Sequence, residues 1–286
     1  MSDNNIPQNS LLDHISVCIC TRRRQAMLAR TLDGVTSQVT VPTFSFEIVV
    51  IDNDENRSAE GLVRNYQASR TQRIIYDCEP ERNISLTRNR AIKNATGNLI
   101  AFIDDDEFPK HDWLLNMYYA YKQLNVNGVL GPVKPSFDVV PPEWVIKGSL
   151  CERDPLPDMS VLRDHLKTRT GNVLMNKEIL NLAEGPFNPL FGRSGGGDVD
   201  FFKRMMERGY IFAWCETGIV YETVPPERLK RTYFIKRALV RGATNAKQTS
   251  VFSWSTVKSL IAISFYTLSL PILFVVGHHY FMTYLI

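Results

Sequence analysis

Between Ile15 and Ile103 short apolar, β-prone runs alternate with segments of helical periodicity, a pattern that few architectures satisfy besides a mostly parallel sheet flanked by helices. Ile15–Cys20 and Phe46–Asp52 are the first two runs, and Gln25–Gln38 between them puts Met27, Leu28, Leu32 and Val35 on one helical face. Ser58–Arg70 then reads as a helix with Leu62, Val63 and Tyr66 inward, Arg73–Tyr76 as a strand, Ser85–Asn94 as a helix and Leu99–Ile103 as a strand. In such α/β sheets chemistry collects just beyond the carboxyl ends of the strands.

Further on, His111–Leu124 predicts a helix with Trp113, Leu114, Met117 and Tyr121 on one stripe. Asn125–Asp158 is broken by Gly128, Gly131 and Gly148 and by Pro132, Pro135, Pro141, Pro142, Pro155 and Pro157, so irregular chain and short strands are expected there. A second ordered block follows: a strand Gly171–Met175, a loop Gly185–Gly197, a helix from Asp198 to Arg208, and strands at Tyr210–Ala213 and Gly218–Glu222. The 286 residues suffice for one large domain or two modest ones, and 44% apolar with 22% charged residues excludes a disordered, collagenous or disulfide-scaffold chain. The five cysteines include no Cys-x-x-Cys pair; Cys18 and Cys20 share one strand face, which argues against zinc and for a reducing compartment.

The net charge of +3 divides into +8 from Arg228 onward, where no acidic side chain occurs, and −5 in the preceding body. Thr232–Arg241 interleaves Tyr233, Phe234, Ala238 and Leu239 with Lys236, Arg237 and Arg241, the composition of a basic amphipathic helix that suits an anionic inner leaflet. A solvated helix face has the same composition. Leu260–Gly277 carries no charge and has about the length of a short membrane span, with Pro271 inside it; a buried helix or a hairpin in the interface is also compatible. Met1–Ser10 is polar and has no signal-peptide core.

Asp104-Asp105-Asp106-Glu107 directly follows the apolar run Leu99–Ile103. Like charges gathered at a strand end repel one another unless a cation or hydrogen-bond donors compensate. Alternate residues of extended chain face the same way, so Asp104 and Asp106 can present oxygens together to Mg²⁺ or Mn²⁺, ions usually held by one or two carboxylates plus substrate phosphates. A solvated acidic turn is the competing reading. Asp52 and Asp54 end a preceding strand on the same sheet edge, and Arg82, Asn83, Arg88, Asn89 and Arg90 cluster at a helix start where an anion can be received, as a nucleoside diphosphate would need. Helix capping and surface pairing explain such a cluster equally, and for Arg90 they are preferred. Gly195-Gly196-Gly197-Asp198-Val199-Asp200 opens the later helix with a tight turn and a carboxylate that fits either an N-cap or an acid/base.

Five motifs in this order resemble those of family 2 glycosyltransferases, inverting enzymes of the GT-A fold: Cys18-Ile19-Cys20-Thr21-Arg22, Ile48-Val49-Val50-Ile51-Asp52-Asn53, Asn83 to Asn89, Phe102-Ile103-Asp104-Asp105-Asp106, and the late glycine-aspartate motif. The segment Val220–Arg228, with Arg237 and Gly242 beyond, is similar to the bacterial succinoglycan-type exopolysaccharide glucosyltransferase branch. The resemblance spans residues 14–245. It implies a GT-A, Rossmann-like catalytic domain over 14–227, with a nucleotide-binding half (14–110) and an acceptor half (111–227), after a flexible N-terminus (1–13). A basic amphipathic segment (228–258) and a hydrophobic membrane-associating or transmembrane segment (259–286) then make up the helical tail.

By the same resemblance Thr21, Arg22 and Asp52 bind the nucleoside base and Arg88 lies near the base or phosphates. Asp104 and Asp105 belong to the D-x-D motif at the donor, where Asp104 faces the ribose or metal and Asp106 ligates the metal. Asp198 deprotonates the acceptor hydroxyl, with Asp200 able to share that role. Two positions depart from the pattern: Gly197 replaces a carboxylate of the usual acid pair, and Glu222 stands where many relatives carry a histidine metal ligand. Arg228, Arg237 or Arg241 can grip the donor diphosphate. The implied function is metal-dependent inverting transfer of a hexose, glucose from UDP-glucose, to a lipid-linked saccharide at the cytoplasmic face of a bacterial inner membrane, with no nucleic-acid partner. Nucleotidyl transfer and a membrane-tethered nucleotide-sugar binder without turnover are the alternatives.

Overall fold

The computed structural model describes residues 12–183, 185–248 and 254–285, so of the expected flexible N-terminus only Leu12 and Asp13 fall among the described residues. The described strands are β1 (Asp13–Thr21), β2 (Phe44–Asp52), β3 (Ile74–Cys78), β4 (Leu99–Asp104), β5 (Glu107–Pro109), β6 (Gly128–Leu130), β7 (Val133–Phe137), β8 (Val161–Leu162), β9 (Asn172–Asn176), β10 (Phe212–Trp214) and β11 (Val220–Val224). The helices are α1 (Gln25–Thr36), α2 (Glu60–Ser69), α3 (Ile84–Asn94), α4 (Trp113–Leu124), α5 (Glu143–Lys147), α6 (Gly197–Glu207), α7 (Arg231–Gln248), α8 (Trp254–Val276) and α9 (His278–Leu285). They fall into two compact units, one of Met1–Val133 with Pro155–Tyr221 and one of Lys134–Asp154 with Glu222–Ile286.

The first unit is built on a sheet of order β3-β2-β1-β4-β9-β6-β10-β8. β3, β2, β1 and β4 run parallel, β9 is antiparallel to both β4 and β6, β10 is parallel to β6, and β8 closes the edge antiparallel to β10. Because side chains alternate across a strand, the central strands feed two cores. Ile15, Val17 and Ile19 of β1 and Leu99, Ala101 and Ile103 of β4 pack with α1, α2 and α4 through Leu28, Leu32, Val63, Trp113 and Met117. Cys18, Ile100 and Phe102 face the other way, onto Ala91 and Ile92 of α3 and Phe201, Phe202 and Met205 of α6. All five cysteines are free thiols.

β1 begins at Asp13, earlier than its apolar pattern marks, because Asp13 pairs in register with Phe44 and its carboxylate accepts from Tyr118 Oη at 2.8 Å and Lys122 Nζ at 3.0 Å. The glycine- and proline-broken stretch contains the expected short strands, β6 and β7, and also the helix α5, which its pattern does not mark. Parallel register at the carboxyl edge sets Thr21 opposite Asp52, Cys20 opposite Asp104 and Asp52 opposite Cys78, so the ends of four adjacent strands meet in one row.

In the second unit β7 and β11 lie side by side, and Val145, Val224, Leu229 and Phe234 form a small core packed by Trp144 and Tyr233. Trp144 meets Phe234 and His278 edge-on, tying α5 to α7 and α9. α7 and α8 carry the basic and apolar tail segments, and Pro271 lies inside α8. Leu239, Leu268 and Val275 are exposed at 70%, 79% and 84%. Among the described residues no helix is long and apolar enough to cross a membrane, so the expected transmembrane reading of the tail has no support in this structure.

Candidate active site

The chain leaving β1 carries three arginines in a row, and each goes to a different place. Arg23 adopts a left-handed backbone (φ 56) and forks onto Asp54, with Nε and Nη2 both 2.9 Å from its oxygens. That pairing holds the Asp54 carboxyl down at about 2. Arg24 Nη1 reaches Asp105 at 2.9 Å and Asp106 at 3.2 Å. Arg22 lines an open cleft with a buried Nε that has no hydrogen-bond partner.

That cleft has a volume of about 740 Å³ and is walled by Thr21, Arg22, Arg24, Asn53, Arg82 and Arg193 among others. Asp52, at the end of β2, is fully buried. Its Oδ2 accepts from the Ala59 N–H at 2.7 Å and from Tyr76 Oη at 3.2 Å, while Oδ1 has no partner. Burial pushes its pKa up. A buried carboxylate oxygen left unpaired is costly, and such a group at a ligand edge is a natural acceptor for a ligand N–H or O–H. Cys20 also lines the cleft, but burial raises its thiol to about 12 and keeps it inert.

The aspartate corner divides its labour. Asp105 points inward, where Thr21 Oγ1 donates to it at 2.8 Å and Arg24 pairs with it. Thr31 of α1 donates to the Asp105 and Glu107 carbonyls, fixing the backbone of the turn. Asp105 therefore positions the corner. Asp104 is about half exposed, with Arg88 Nη2 at 3.9 Å. Desolvation, opposed by Arg88 and reinforced by repulsion from Asp106, Asp105 and Asp198, pushes Asp104 up to about 6. Arg88 itself is largely buried and rests over the Phe187 ring at 5.6 Å.

α3 and the 185–197 loop are stapled together. Asn83 caps α3 by accepting from Ser85 N and Leu86 N, and its Nδ2 donates to the Pro189 carbonyl at 3.0 Å. Asn89 exchanges two hydrogen bonds with Phe187. Gly192 leaves room for this contact, since a Cβ there would stand 1.6 Å from Asn83 Oδ1. Arg90 pairs with Asp77, Glu79 and the Cys78 carbonyl, the structural role preferred for it from sequence. The loop delivers α6 with Gly196 in the left-handed region (φ 87). Asp198, in the first turn, is partly exposed, accepts from the Val199 N–H and lies close enough to Asp104 to repel its charge. Asp200 is instead bound to Arg204, Oδ2 to Nη2 at 2.8 Å, so the geometry separates the two acids and leaves the Asp198 carboxylate outside that ion pair.

In the second unit Glu222 accepts from Arg228 Nη1 at 2.7 Å and from Arg153 Nη2 at 3.3 Å. Guanidinium groups thus hold both oxygens, and the expectation that Glu222 ligates a metal finds no support in its surroundings. Arg237 lies in that same arginine cluster, beside Tyr233. The side chain of Arg241 lies outside the described residues.

Among the described residues no group of three or more His, Cys, Asp or Glu side chains is placed to hold a metal ion by itself. Asp104 and Asp106 nevertheless fit a divalent ion shared with substrate phosphates, which needs only one or two carboxylates. Desolvation is the main cause of the raised Asp104, and repulsion from Asp106 adds to it; a cation held by the two acids would relieve that second part.

The contribution of Arg24, Asn53 and Arg193 escaped sequence reading; the Arg22–Arg24 run at a strand end was the available signal for the first. The family description "Glycosyl transferase family 2" matches residues 16–180. The chain is 31% identical over 234 residues to the succinoglycan biosynthesis protein ExoM of Rhizobium meliloti (strain 1021), covering 82% of this chain and 74% of that one. Glycosyltransferase AglE of Haloferax volcanii is 25% identical over 239 residues, covering 81% and 75%. The crystal structure of S. aureus TarS 1-349 in complex with UDP-GlcNAc superimposes with a TM-score of 0.56 at 17% identity, over 74% of this chain and 58% of that one, and so shares the fold.

Proposed function

Because the chain belongs to glycosyl transferase family 2, we propose that it transfers glucose from UDP-glucose, with inversion, onto a lipid-linked saccharide in surface polysaccharide synthesis. One observation carries the reading: an arginine-lined cleft opens at the carboxyl ends of β1 and β2, the strand edge where Asp52 keeps an unpaired buried oxygen beneath Asn53 of the cleft wall and where Asp104 ends β4, and Asp198 stands within electrostatic reach of Asp104. Two likenesses support it, the name of the succinoglycan biosynthesis relative and the UDP-GlcNAc complex of the TarS structure. In this reading the enzyme works at the cytoplasmic face of a bacterial inner membrane, held by the basic α7 and the exposed apolar side chains of α8.

Asp52, Thr21 and Arg22 receive the nucleoside, and Arg88 binds the diphosphate. Asp104 and Asp106 would hold a Mn²⁺ or Mg²⁺ ion, which would supply charge neutralisation to that diphosphate. Asp198 takes the proton of the acceptor hydroxyl as its oxygen attacks the anomeric carbon from the face opposite the leaving group, so an α-linked donor gives a β-linked product. Arg88 stabilises the growing negative charge on the departing UDP. Incubation with UDP-[¹⁴C]glucose and bacterial glycolipid extract tests the proposal. Label on lipid with free UDP released is expected; uridine monophosphate on the acceptor, or donor bound without turnover, overturns it.

A further inference from the structure

The second unit holds a cluster of arginines that the donor chemistry does not use. Arg153, Arg228 and Arg237 line a small cavity of about 50 Å³ with Cys151, Glu222 and Tyr233. Glu222 lies at its centre, with Oε1 2.7 Å from Arg228 Nη1 and Oε2 3.3 Å from Arg153 Nη2. Both these arginines and Glu222 are less than a third exposed. Arg153 Nη1 is buried from solvent and has no hydrogen-bond partner. Counting Glu152 at the cavity wall, three guanidinium groups face two carboxylates, an excess of one positive charge.

We propose that this cavity is an anion site for the phosphate or diphosphate headgroup of a phosphorylated lipid, with Glu222 as the internal anion that keeps the guanidinium forks aligned until the headgroup arrives. A buried guanidinium N–H without an acceptor forfeits a charge-assisted hydrogen bond, and a phosphate oxygen restores it in the bidentate geometry that arginine favours. The space holds a group of phosphate size rather than a nucleotide. The lipid is favoured over a free anion because the same unit exposes Leu239, Leu268 and Val275 on its tail helices. Hydrocarbon chain would cover such side chains; inorganic phosphate would not. The choice of ligand class rests on the lipid-linked acceptor proposed above.

The full chain is titrated calorimetrically with farnesyl diphosphate, inorganic pyrophosphate and UDP, as wild type and as Arg153→Gln and Glu222→Gln. Farnesyl diphosphate is expected to bind more tightly than pyrophosphate, and to weaken at least about tenfold in Arg153→Gln. It should tighten in Glu222→Gln, where no carboxylate competes for the forks, a change that loss of a merely structural ion pair would not produce. UDP affinity should be unmoved by either substitution. Equal binding of pyrophosphate, parallel loss of UDP, or farnesyl diphosphate affinity indifferent to both substitutions overturns the site. Should Arg153→Gln not fold, as judged by thermal unfolding, the Glu222→Gln arm decides alone. Failure of wild-type chain to bind UDP would count against the donor reading and leave the farnesyl diphosphate result to be read separately.

Discussion

Asn89 and Phe187 exchange two hydrogen bonds, Nδ2 donating to the Phe187 carbonyl at 2.8 Å and the Phe187 N–H donating to Oδ1 at 3.0 Å. One side chain on α3, a helix reached from the β3 strand end, thereby closes a backbone-like ladder with the loop that delivers Asp198. The partners are 98 residues apart in sequence, so the contact couples the two halves of the first unit.

Asn89→Ala removes both bonds and leaves the Phe187 backbone groups to find water. The expected cost is about 1–3 kcal/mol of stability, read as a lower urea midpoint at unchanged slope. Because the same loop delivers Asp198 and carries the Arg193 that walls the donor cleft, turnover should fall and UDP affinity should weaken with it. A variant that keeps wild-type turnover and UDP affinity would show that this staple does not hold the loop.

Asp198→Asn should cut turnover by roughly 10²–10⁴ with UDP affinity retained, since the amide is isosteric and can still accept from the Val199 N–H but cannot take a proton. Asp200→Asn should cost little turnover, because its carboxylate is already committed to Arg204. Single-turnover rates with labelled donor separate the two. Equal losses at both positions would mean that the acids share the base role after all.

The Arg23–Asp54 pair makes a pH prediction. Asp54 is held at about 2, below its ordinary value near 4, so its stabilising contribution is present above about pH 4 and is lost as pH falls toward 2. In Arg23→Gln the carboxyl should titrate close to its ordinary value, and the acid limb of the stability curve should move to higher pH. Carboxyl-detected NMR of Asp54 reads the first and acid denaturation the second. Arg23 is more than half exposed, so high salt should shrink the difference.

How much of this was legible in the sequence follows from the range of each interaction. β1, β2 and β4 announce themselves because a strand buried on both faces must be apolar along its length, and their carboxyl ends are marked where the apolar runs stop at Thr21, Asp52 and Asp104. The inward turn of Asp105 and its pairing with Arg24 left no local trace, since the partners are 81 residues apart. Glu222 is legible from its place in a motif, but its arginine partner Arg153 lies 69 residues earlier, in a stretch whose glycines and prolines signal irregular chain and short strands without fixing any partner. The short strands β6 and β8 offer too few residues for a periodicity to register, and their pairing comes from the sheet they join.

Gly197 stands beside Asp198 where the motif resemblance implies a carboxylate, and the packing gives a reason for the glycine. A Cβ at 197 would lie 3.2 Å from Ser85 Oγ and 3.3 Å from Phe191 Cβ, and the glycine is buried at the start of α6. Gly197→Glu would push a carboxylate into this contact, forcing apart the α3 and α6 starts that the Asn83 and Asn89 staples hold. We expect it to destabilise the chain by about 1–3 kcal/mol and to lower turnover rather than raise it, because displacement of the α6 start moves Asp198. Pairing it with Ser85→Gly should recover part of the stability, since the nearest obstructing atom is gone. Thermal unfolding of the single and double variants, with turnover measured beside it, checks both statements. A single variant with wild-type melting temperature and faster turnover would show that the position accepts the missing acid and that Asp198 works below its potential without it.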